Sequence, residues 1–393
     1  MQRNAHPRFG QSEDLRGRLD RVQSTLIDLA EELHDLPDVG AECEPGTTTA
    51  WAIFENDAMS EARASGGGWT GMQAIRVAHY GGPDVLHVVN VEAPDPGPGQ
   101  VLVDVAAIGV NYVDTYQRSG TYQVPLPFGP GAEGAGTVIA VGGGVTDLKT
   151  GDPVAWAAAP GSYAERVLVP ADKAVKVPDG VGLELAAAVL LQGLTAQYLC
   201  TSTYPVQPGD AALVHAGAGG VGLLLTQMVK LRGGRVIATV SSDEKAALAR
   251  AAGADDVIRY DRVDFGPEVR RLTAGEGVAV VFDGVGRTTF DGSLSTLRRR
   301  GMLVLYGASS GPVPPFDPLR LVAGSFYLTR PSLGHYTATR EELLLRATEV
   351  FDKVLAGHLN VRIGGRYALS DATKAHEDLQ SRRTTGKLLL MPR

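Results

Sequence analysis

The spacing of apolar residues changes along the chain, beginning with a heptad pattern near the N-terminus. Apolar residues recur there in alternating steps of four and three, at Leu15, Leu19, Val22, Leu26, Leu29, Leu33 and Leu36. Three heptads are too few to decide between three interpretations. The segment is a short coiled coil, an amphipathic helix that lies on its own domain, or translated leader sequence upstream of the true start. The polar stretch that follows ends in Gly66, Gly67 and Gly68, which is typical of a flexible linker. We therefore expect folded structure to begin near Met72.

From Met72 to about Asp179, short apolar runs are separated by Gly and Pro clusters, which indicates β-strands. The runs include MQAIRVAHY, QVLVDVAAIGV, GAGTVIAVG and YAERVLVP. This part of the chain is predicted to be an all-β unit with little helix.

Next comes a long apolar helix, LELAAAVLLQGLTAQYLC, and from Ala211 strands and helices alternate. The predicted strands are near-continuously apolar, as in parallel sheets buried on both faces: AALVHA, RVIATV, DDVIRY, VAVVFDG, GMLVLYG and GSFYLTR. The pattern predicts a doubly wound parallel sheet.

The C-terminal region has a helix from Arg340, a strand around Val361, the helical DATKAHEDLQS and the closing strand GKLLLMP. We expect this region to rejoin the β unit.

A glycine motif lies between the first strand of the parallel sheet and its helix. Gly217, Gly219 and Gly222 form G-x-G-x-x-G in the required strand–turn–helix context. The motif predicts that Gly217 permits the tight turn, Gly219 admits a pyrophosphate, and Gly222 allows close packing. Gly220 and Val221 complete the loop at the helix N-terminus, where free N–H groups attract anions. A glycine turn without a ligand is the alternative, and the repeated βα units favour dinucleotide binding.

The end of the second strand decides which nicotinamide cofactor binds. The strand RVIATV runs into Ser241 and Ser242, and the following Asp243 has a default role in the first turn of a helix. Lys245, together with Ser241 and Tyr260, is a candidate for holding a 2′-phosphate. The alternatives are a solvated surface lysine and an ordinarily packed tyrosine. NADPH is favoured over NADH.

Composition limits the possible partners and the compartment. A net charge of −7 gives no general attraction to nucleic acid or anionic membranes. With only Cys43 and Cys200, the chain can build neither a disulfide framework nor a cysteine-rich zinc site. No segment is expected to reach the roughly 20 apolar residues of a membrane span. We expect a cytoplasmic protein with no nucleic-acid or membrane partner.

Eight strings occur in the order found in one known family: HYGGPDVLHV, AIGVNYVDTYQRSGTY, GAEGAGTV, LQGLTAQYL, AGAGGVG, YGASSG, LTRPSL and GKLLL. They resemble the medium-chain dehydrogenase/reductase family, in its zeta-crystallin-like quinone oxidoreductase branch, from about Met72 onward. The resemblance implies an α/β fold with a GroES-like β-rich catalytic domain at 72–195 and 334–393. A Rossmann NADPH-binding domain would occupy 196–333, and residues 1–71 would be an N-terminal extension.

The resemblance also implies where the ligands bind. Asn111, Tyr116 and Tyr122 would line the nicotinamide and substrate cleft, with Tyr122 either donating to the reduced oxygen or only forming the wall. Further expected cofactor contacts are Thr195, Tyr306, Gly307, Ala308, Ser309, Arg330 and Arg382. As lone arginines, the last two are alternatively members of surface ion pairs.

No metal site is expected. Zinc-dependent alcohol dehydrogenases of this family carry a Cys where the chain has Asn111, a His where it has Ala132, and a further lobe with four Cys. Alcohol oxidation requires an alkoxide to be stabilised before hydride leaves, a task suited to a Lewis-acid metal. A hydroquinone anion spreads its charge over a ring, so hydrogen-bond donors and solvent protons suffice.

The implied reaction is zinc-independent hydride transfer from NADPH to a quinone or related conjugated carbonyl. An enone or enal reductase on the same scaffold is the nearest alternative, and a non-catalytic NADPH-binding protein is another.

The strand GSFYLTR is expected to pair edge to edge with the same strand of a second copy in a homodimer, because an unpaired apolar strand edge would otherwise be exposed to solvent.

Overall fold

The computed structural model describes residues 71–393, so the predicted heptad helix and glycine linker lie outside the described residues. Two sheets organise the described part of the chain. A hairpin precedes them, formed by β1 (Met72–Arg76) and β2 (His87–Val91).

The first sheet is mainly antiparallel and has seven strands in the order β14–β15–β3–β4–β5–β7, with β6 paired to β3. Its strands are β3 (Gln100–Val110), β4 (Glu133–Val141), β5 (Pro153–Trp156), β6 (Arg166–Pro170), β7 (Val175–Lys176), β14 (Ile363–Ala368) and β15 (Lys387–Met391). The run QVLVDVAAIGV is β3 along its whole length. Strand β15 pairs antiparallel with β3, so the C-terminal region does return to this sheet.

The second sheet is parallel and has six strands in the order β10–β9–β8–β11–β12–β13, which confirms the predicted doubly wound fold. Its strands are β8 (Ala211–Val214), β9 (Arg235–Val240), β10 (Asp256–Arg259), β11 (Val278–Asp283), β12 (Leu297–Leu305) and β13 (Tyr327–Thr329). Strand β13 is shorter than the run GSFYLTR, because the chain joins the sheet edge only at Tyr327 and leaves it after Thr329.

Helices connect and cover the strands. In chain order they are α1 (Tyr112–Arg118), α2 (Leu183–Tyr198), α3 (Gly220–Leu231), α4 (Asp243–Ala251), α5 (Phe265–Leu272), α6 (Phe290–Thr296), α7 (Leu333–Tyr336), α8 (Arg340–Leu355) and α9 (Ala372–Gln380). Helix α1 interrupts the unit that was predicted to be almost all β, and it brings Tyr116 to the cleft.

Helix α2 corrects the expectation that no segment is apolar enough for a membrane span. It continues into a π-helical turn at Leu199–Thr203. Together the two form a segment of 21 residues, Leu183–Thr203, with a mean hydropathy of 1.3. Of its most apolar stretch, 72% is buried inside the protein. The helix packs against α3 and α8 on one side and against β3 and β4 on the other. A helix surrounded in this way is apolar on all faces, so its composition is explained by core packing between the two sheets.

Candidate active site

One large cleft, with a volume of about 1040 Å³, lies between the two sheets. It is lined by most of the residues expected at the site: Asn111, Tyr116, Tyr122, Thr195, Gly219, Gly220, Val221, Gly222, Ser241, Lys245, Tyr260, Tyr306, Gly307, Ser309, Arg330 and Arg382. Gly217 and Ala308 stand behind this lining. The structure therefore brings residues from Asn111 to Arg382, which are distant in the sequence, to one cavity.

The glycine motif forms the turn between β8 and α3, and its glycines are needed for close packing. A Cβ on Gly222 would lie 2.3 Å from the carbonyl oxygen of Ala216, and one on Gly217 would lie 2.8 Å from Cβ of Ala238 on β9. The left-handed φ of the turn falls on Ala216, at 52°, and not on Gly217. At Gly217 the need for glycine therefore comes from the close approach of the turn to β9 and not from a left-handed φ. Gly219 is the N-cap of α3, so the N–H groups at this helix end face the cleft.

A basic corner lies at the ends of β9 and β10. Ser242 caps α4 by accepting a hydrogen bond from the Lys245 backbone N–H at 3.2 Å. The Lys245 ammonium donates to Ser241 Oγ at 3.4 Å and to the Arg382 carbonyl oxygen. Partial burial lowers the pKa of Lys245 below its usual value. Tyr260 follows β10 and lines the same corner. Residues far apart in sequence thus form one group of hydroxyl and cationic donors.

Tyrosines form the opposite end of the cleft. The rings of Tyr116 and Tyr122 meet edge to face with centroids 5.2 Å apart. Tyr116 Oη accepts a hydrogen bond from the Ala308 backbone N–H at 3.0 Å, which ties α1 to the loop after β12. Burial raises the pKa of Tyr116 to about 12, so this phenol stays protonated at neutral pH.

Arg330 joins these tyrosines to the same loop. Its guanidinium donates to the carbonyl oxygens of Leu305 and Gly307, each at 3.0 Å, and to Tyr122 Oη at 2.9 Å. The alternative of a surface ion pair is therefore wrong for Arg330. Because Tyr122 Oη accepts from Arg330, the hydroxyl hydrogen of Tyr122 is available to an acceptor in the cleft.

A buried ion pair below the cleft was missed by sequence reasoning. Lys387, at the start of β15, pairs with Glu133 at the start of β4, and both side chains are fully buried. Asn111 bridges the pair: its Oδ1 accepts from Lys387 Nζ at 2.8 Å, and its Nδ2 donates to Glu133 Oε2 at 2.8 Å. Glu133 Oε1 accepts from the Leu191 backbone N–H of α2 at 2.7 Å. The only sequence signal was a charge at the edge of each apolar run.

A second buried polar group lies behind α1. Arg118 donates to Nδ1 of His376 at 3.2 Å, so the neutral imidazole carries its proton on Nε2 and donates to Tyr163 Oη at 3.0 Å. Tyr163 in turn donates to Asp114 Oδ2 at 2.9 Å. Asp114 Oδ2 also accepts from the Asn111 backbone N–H at 2.8 Å, which links this group to the cleft.

Two family models match the chain. The alcohol dehydrogenase GroES-like domain matches residues 97–179, and the zinc-binding dehydrogenase model matches residues 220–348. The first covers much of the antiparallel sheet, and the second covers most of the parallel sheet.

Known proteins resemble almost the whole described region. A mycobacterial protein complexed with NADPH is 54% identical, with a TM-score of 0.80 over 82% of this chain and 100% of that one. Escherichia coli quinone oxidoreductase complexed with NADPH is 43% identical, with a TM-score of 0.80 over 81% of this chain and 100% of that one. A 2-haloacrylate reductase from Burkholderia is 41% identical over 82% of this chain and 99% of its own length.

The fold and the cleft of this chain define a two-domain, dinucleotide-dependent oxidoreductase. The chain belongs to the medium-chain dehydrogenase/reductase family, in its quinone oxidoreductase branch, which confirms the resemblance seen in the eight strings.

The zinc named in one family model does not fit this donor set. Ala132 offers a methyl group, and Asn111 Oδ1 already accepts from the Lys387 ammonium at 2.8 Å. A zinc ion at Asn111 would stand next to this buried cation, where the two positive charges repel. Within residues 71–393, no three His, Cys, Asp or Glu side chains cluster closely enough to hold a metal ion.

Proposed function

We propose that the protein is an NADPH-dependent quinone reductase that works without zinc. The observation that carries the proposal is one continuous cleft with the glycine turn and basic corner at one end and the Tyr122–Arg330 pair at the other. Relatives whose structures contain NADPH, including a quinone oxidoreductase, support both the cofactor and the substrate class.

The cleft fits the cofactor part by part. The N–H groups at the start of α3 suit the pyrophosphate, since the glycines let the backbone approach an anion closely. Lys245 with the Ser241 hydroxyl suits the 2′-phosphate, because charged donors form the stronger hydrogen bonds to phosphate. When bound, NADPH supplies a hydride for the reduction. Tyr116 and Arg330 fix the loop at Gly307 and Ala308 that borders the nicotinamide end.

Tyr122 supplies the polar group for the substrate. Reducing a quinone to a hydroquinone adds one hydride and one proton in total. In the proposal, the Tyr122 hydroxyl donates that proton to the oxygen on which charge develops, while the Arg330 guanidinium stabilises the phenol oxygen. Solvent then returns a proton to Tyr122, which is 43% exposed.

The metal-free reaction is tested with protein that has been stripped by a chelator. It should oxidise NADPH with a small ortho- or para-quinone at an undiminished rate and should oxidise simple alcohols negligibly. Recovery of activity only after zinc addition would overturn the metal-free proposal.

Conjugated alkenes are the second substrate class, favoured by the likeness to 2-haloacrylate reductase. Rates of NADPH oxidation, measured over a range of concentrations of quinones, of enals and of 2-haloacrylate, distinguish the two classes. Higher kcat/KM for the alkenes would replace quinone reduction with enal or haloacrylate reduction. Absence of turnover with every acceptor would favour a non-catalytic NADPH-binding protein.

A further inference from the structure

The basic corner contains an acidic residue that argues against a phosphorylated cofactor. Asp243 follows Gly222 by about 20 residues, which is where NAD-dependent proteins of this fold place a carboxylate for the ribose 2′-hydroxyl. It also lies two positions before Lys245, in the first turn of α4. A free carboxylate here would accept from a 2′-hydroxyl and repel a 2′-phosphate.

Two arginines occupy this carboxylate. Asp243 Oδ1 accepts from Arg259, the last residue of β10, and Oδ2 accepts from Arg262 at 2.9 Å. Arg259 also donates two hydrogen bonds to the Asp261 carboxylate, from Nε to Oδ1 at 2.8 Å and from Nη2 to Oδ2 at 2.6 Å. This two-point contact fixes the plane of the guanidinium.

Burial within the group is unequal. The side chain of Arg259 is 15% exposed, whereas that of Asp243 is 74% exposed. Arg259 is therefore the anchored partner, and the Asp243 carboxylate is the one free to turn if the anchor is lost. Two carboxylates and two guanidinium groups leave the cluster with no net charge, so the positive charge that lines the corner comes from Lys245 and Arg382.

We propose that Arg259 and Arg262 are positioning residues for cofactor specificity, which hold and neutralise Asp243 and thereby make the corner selective for a 2′-phosphate over a free ribose hydroxyl. This inference rests on the proposed function and explains how a chain with an acidic residue at this position selects NADPH. None of Arg259, Arg262 and Asp243 lines the cleft, so the proposed effect of the cluster reaches the 2′-phosphate through its charge, at the corner that Ser241 and Lys245 line.

The test uses two adenosine fragments, 2′,5′-ADP and 5′-AMP, titrated into the full chain by calorimetry at low ionic strength, where screening is weakest. The Arg259→Gln/Arg262→Gln variant should bind 2′,5′-ADP at least about 10-fold more weakly, because it leaves the carboxylates of Asp243 and Asp261 without their cationic partners near the phosphate. Its affinity for 5′-AMP should stay constant or rise. Addition of Asp243→Asn should restore most of the lost 2′,5′-ADP affinity, because only the Asp261 carboxylate then lacks its partner.

Asp243→Asn alone is the matched control: it should bind 2′,5′-ADP as tightly as the starting protein or more tightly, because it leaves the cluster with one net positive charge, and its affinity for 5′-AMP should change by less than about 2-fold. The exposed single variant Arg262→Gln, with its melting temperature measured, provides a milder release if the double variant folds poorly. It should show a smaller loss that Asp243→Asn again restores.

Two results would overturn the inference. A loss of 2′,5′-ADP affinity that is equally large in the Asp243→Asn background would mean that the arginines bind the phosphate directly. An equal loss for 5′-AMP would mean that the corner has lost its structure. If the unaltered protein and Lys245→Ala both fail to prefer 2′,5′-ADP over 5′-AMP, the proposed NADPH function fails, and the inference fails with it.

Discussion

At the scale of single residues, the hydroxyl of Tyr122 is the group on which the proposed chemistry depends most directly. Tyr122→Phe keeps the ring against Tyr116 and removes only the oxygen bound to Arg330. If this hydroxyl donates a proton in the transition state, the chemical step should slow by roughly 100-fold or more. Single-turnover NADPH oxidation is the measurement, because product release can limit steady-state turnover.

Tyr116→Phe is the matched control for Tyr122. It removes the acceptor of the Ala308 N–H, a neutral hydrogen bond worth about 0.5–1.5 kcal/mol. NADPH binding should weaken by roughly 2- to 10-fold while the chemical step stays nearly constant. A slight loss in Tyr122→Phe, similar to that in the control, would leave Tyr122 as part of the wall only.

The Glu133–Lys387 pair is expected to hold the cleft floor together. Lys387→Met leaves a carboxyl buried without its partner, which typically costs about 3–5 kcal/mol. Lys387→Met combined with Glu133→Leu removes both charges and should recover most of this stability. Denaturant unfolding of the three proteins measures the effect, and a single variant as stable as the starting protein would show that the pair contributes little.

Some of these residues could be predicted from the sequence and others could not. Lys245 and the glycine motif follow local rules about strand ends and helix starts, so their positions were predictable. Arg330 meets Tyr122 across 208 positions, and Lys387 meets Glu133 across 254, so no local pattern joins them. Family resemblance named Arg330 and Tyr122 separately, but the hydrogen bond between them required the fold.

At the scale of secondary-structure elements, the strands were the most predictable part. The run at β3 and the run RVIATV at β9 have the bounds of the observed strands, because each is apolar and ends at turn residues. Helix α1 was not predicted, since its seven residues are too few to display a helical period. Strand β13 was predicted too long because apolar composition alone does not determine where a sheet edge ends.

Helices α1 and α9 are joined by the buried group of Asp114, Arg118, Tyr163 and His376, which should make stability depend on pH. Burial raises the pKa of Asp114 to about 7, and Asp114 Oδ1 has no hydrogen-bond partner among the described residues. Between about pH 4 and 7, the native state then keeps a proton that the unfolded chain has lost. The free energy of unfolding should therefore fall as pH rises through this window.

His376 contributes with the opposite sign, because burial lowers its pKa to about 3 and the unfolded chain binds the proton first. The contribution of Asp114 is therefore measured as the difference between the starting protein and Asp114→Asn across pH 4–8. The starting protein should lose at most about 4 kcal/mol relative to the variant over this range. Parallel pH profiles would show that the Asp114 carboxyl titrates alike in both states.

At the scale of the whole molecule, residues 1–71 are expected to be dispensable for catalysis. About 82% of this chain matches the full length of the mycobacterial and Escherichia coli structures, so those relatives fold without such a segment. A chain beginning at Met72 should keep its turnover and melting temperature. Loss of folding would instead mean that the heptad segment packs on the core.

The edge strand β13 sets the expected assembly. It is the last strand of the parallel sheet, and the side chains of Tyr327 on the strand and of Leu319 and Val322 before it are exposed. Edge-to-edge pairing about a two-fold axis would cover this apolar surface in both copies. Light scattering should therefore give twice the 41.3 kDa chain mass.

Tyr327→Asp should reduce the mass measured by light scattering to that of one chain, because like charges would face each other across the axis. The chain beginning at Met72 should remain dimeric, and its dissociation would assign the dimer to the heptad segment. A monomer at micromolar concentration in the full chain would contradict both arrangements.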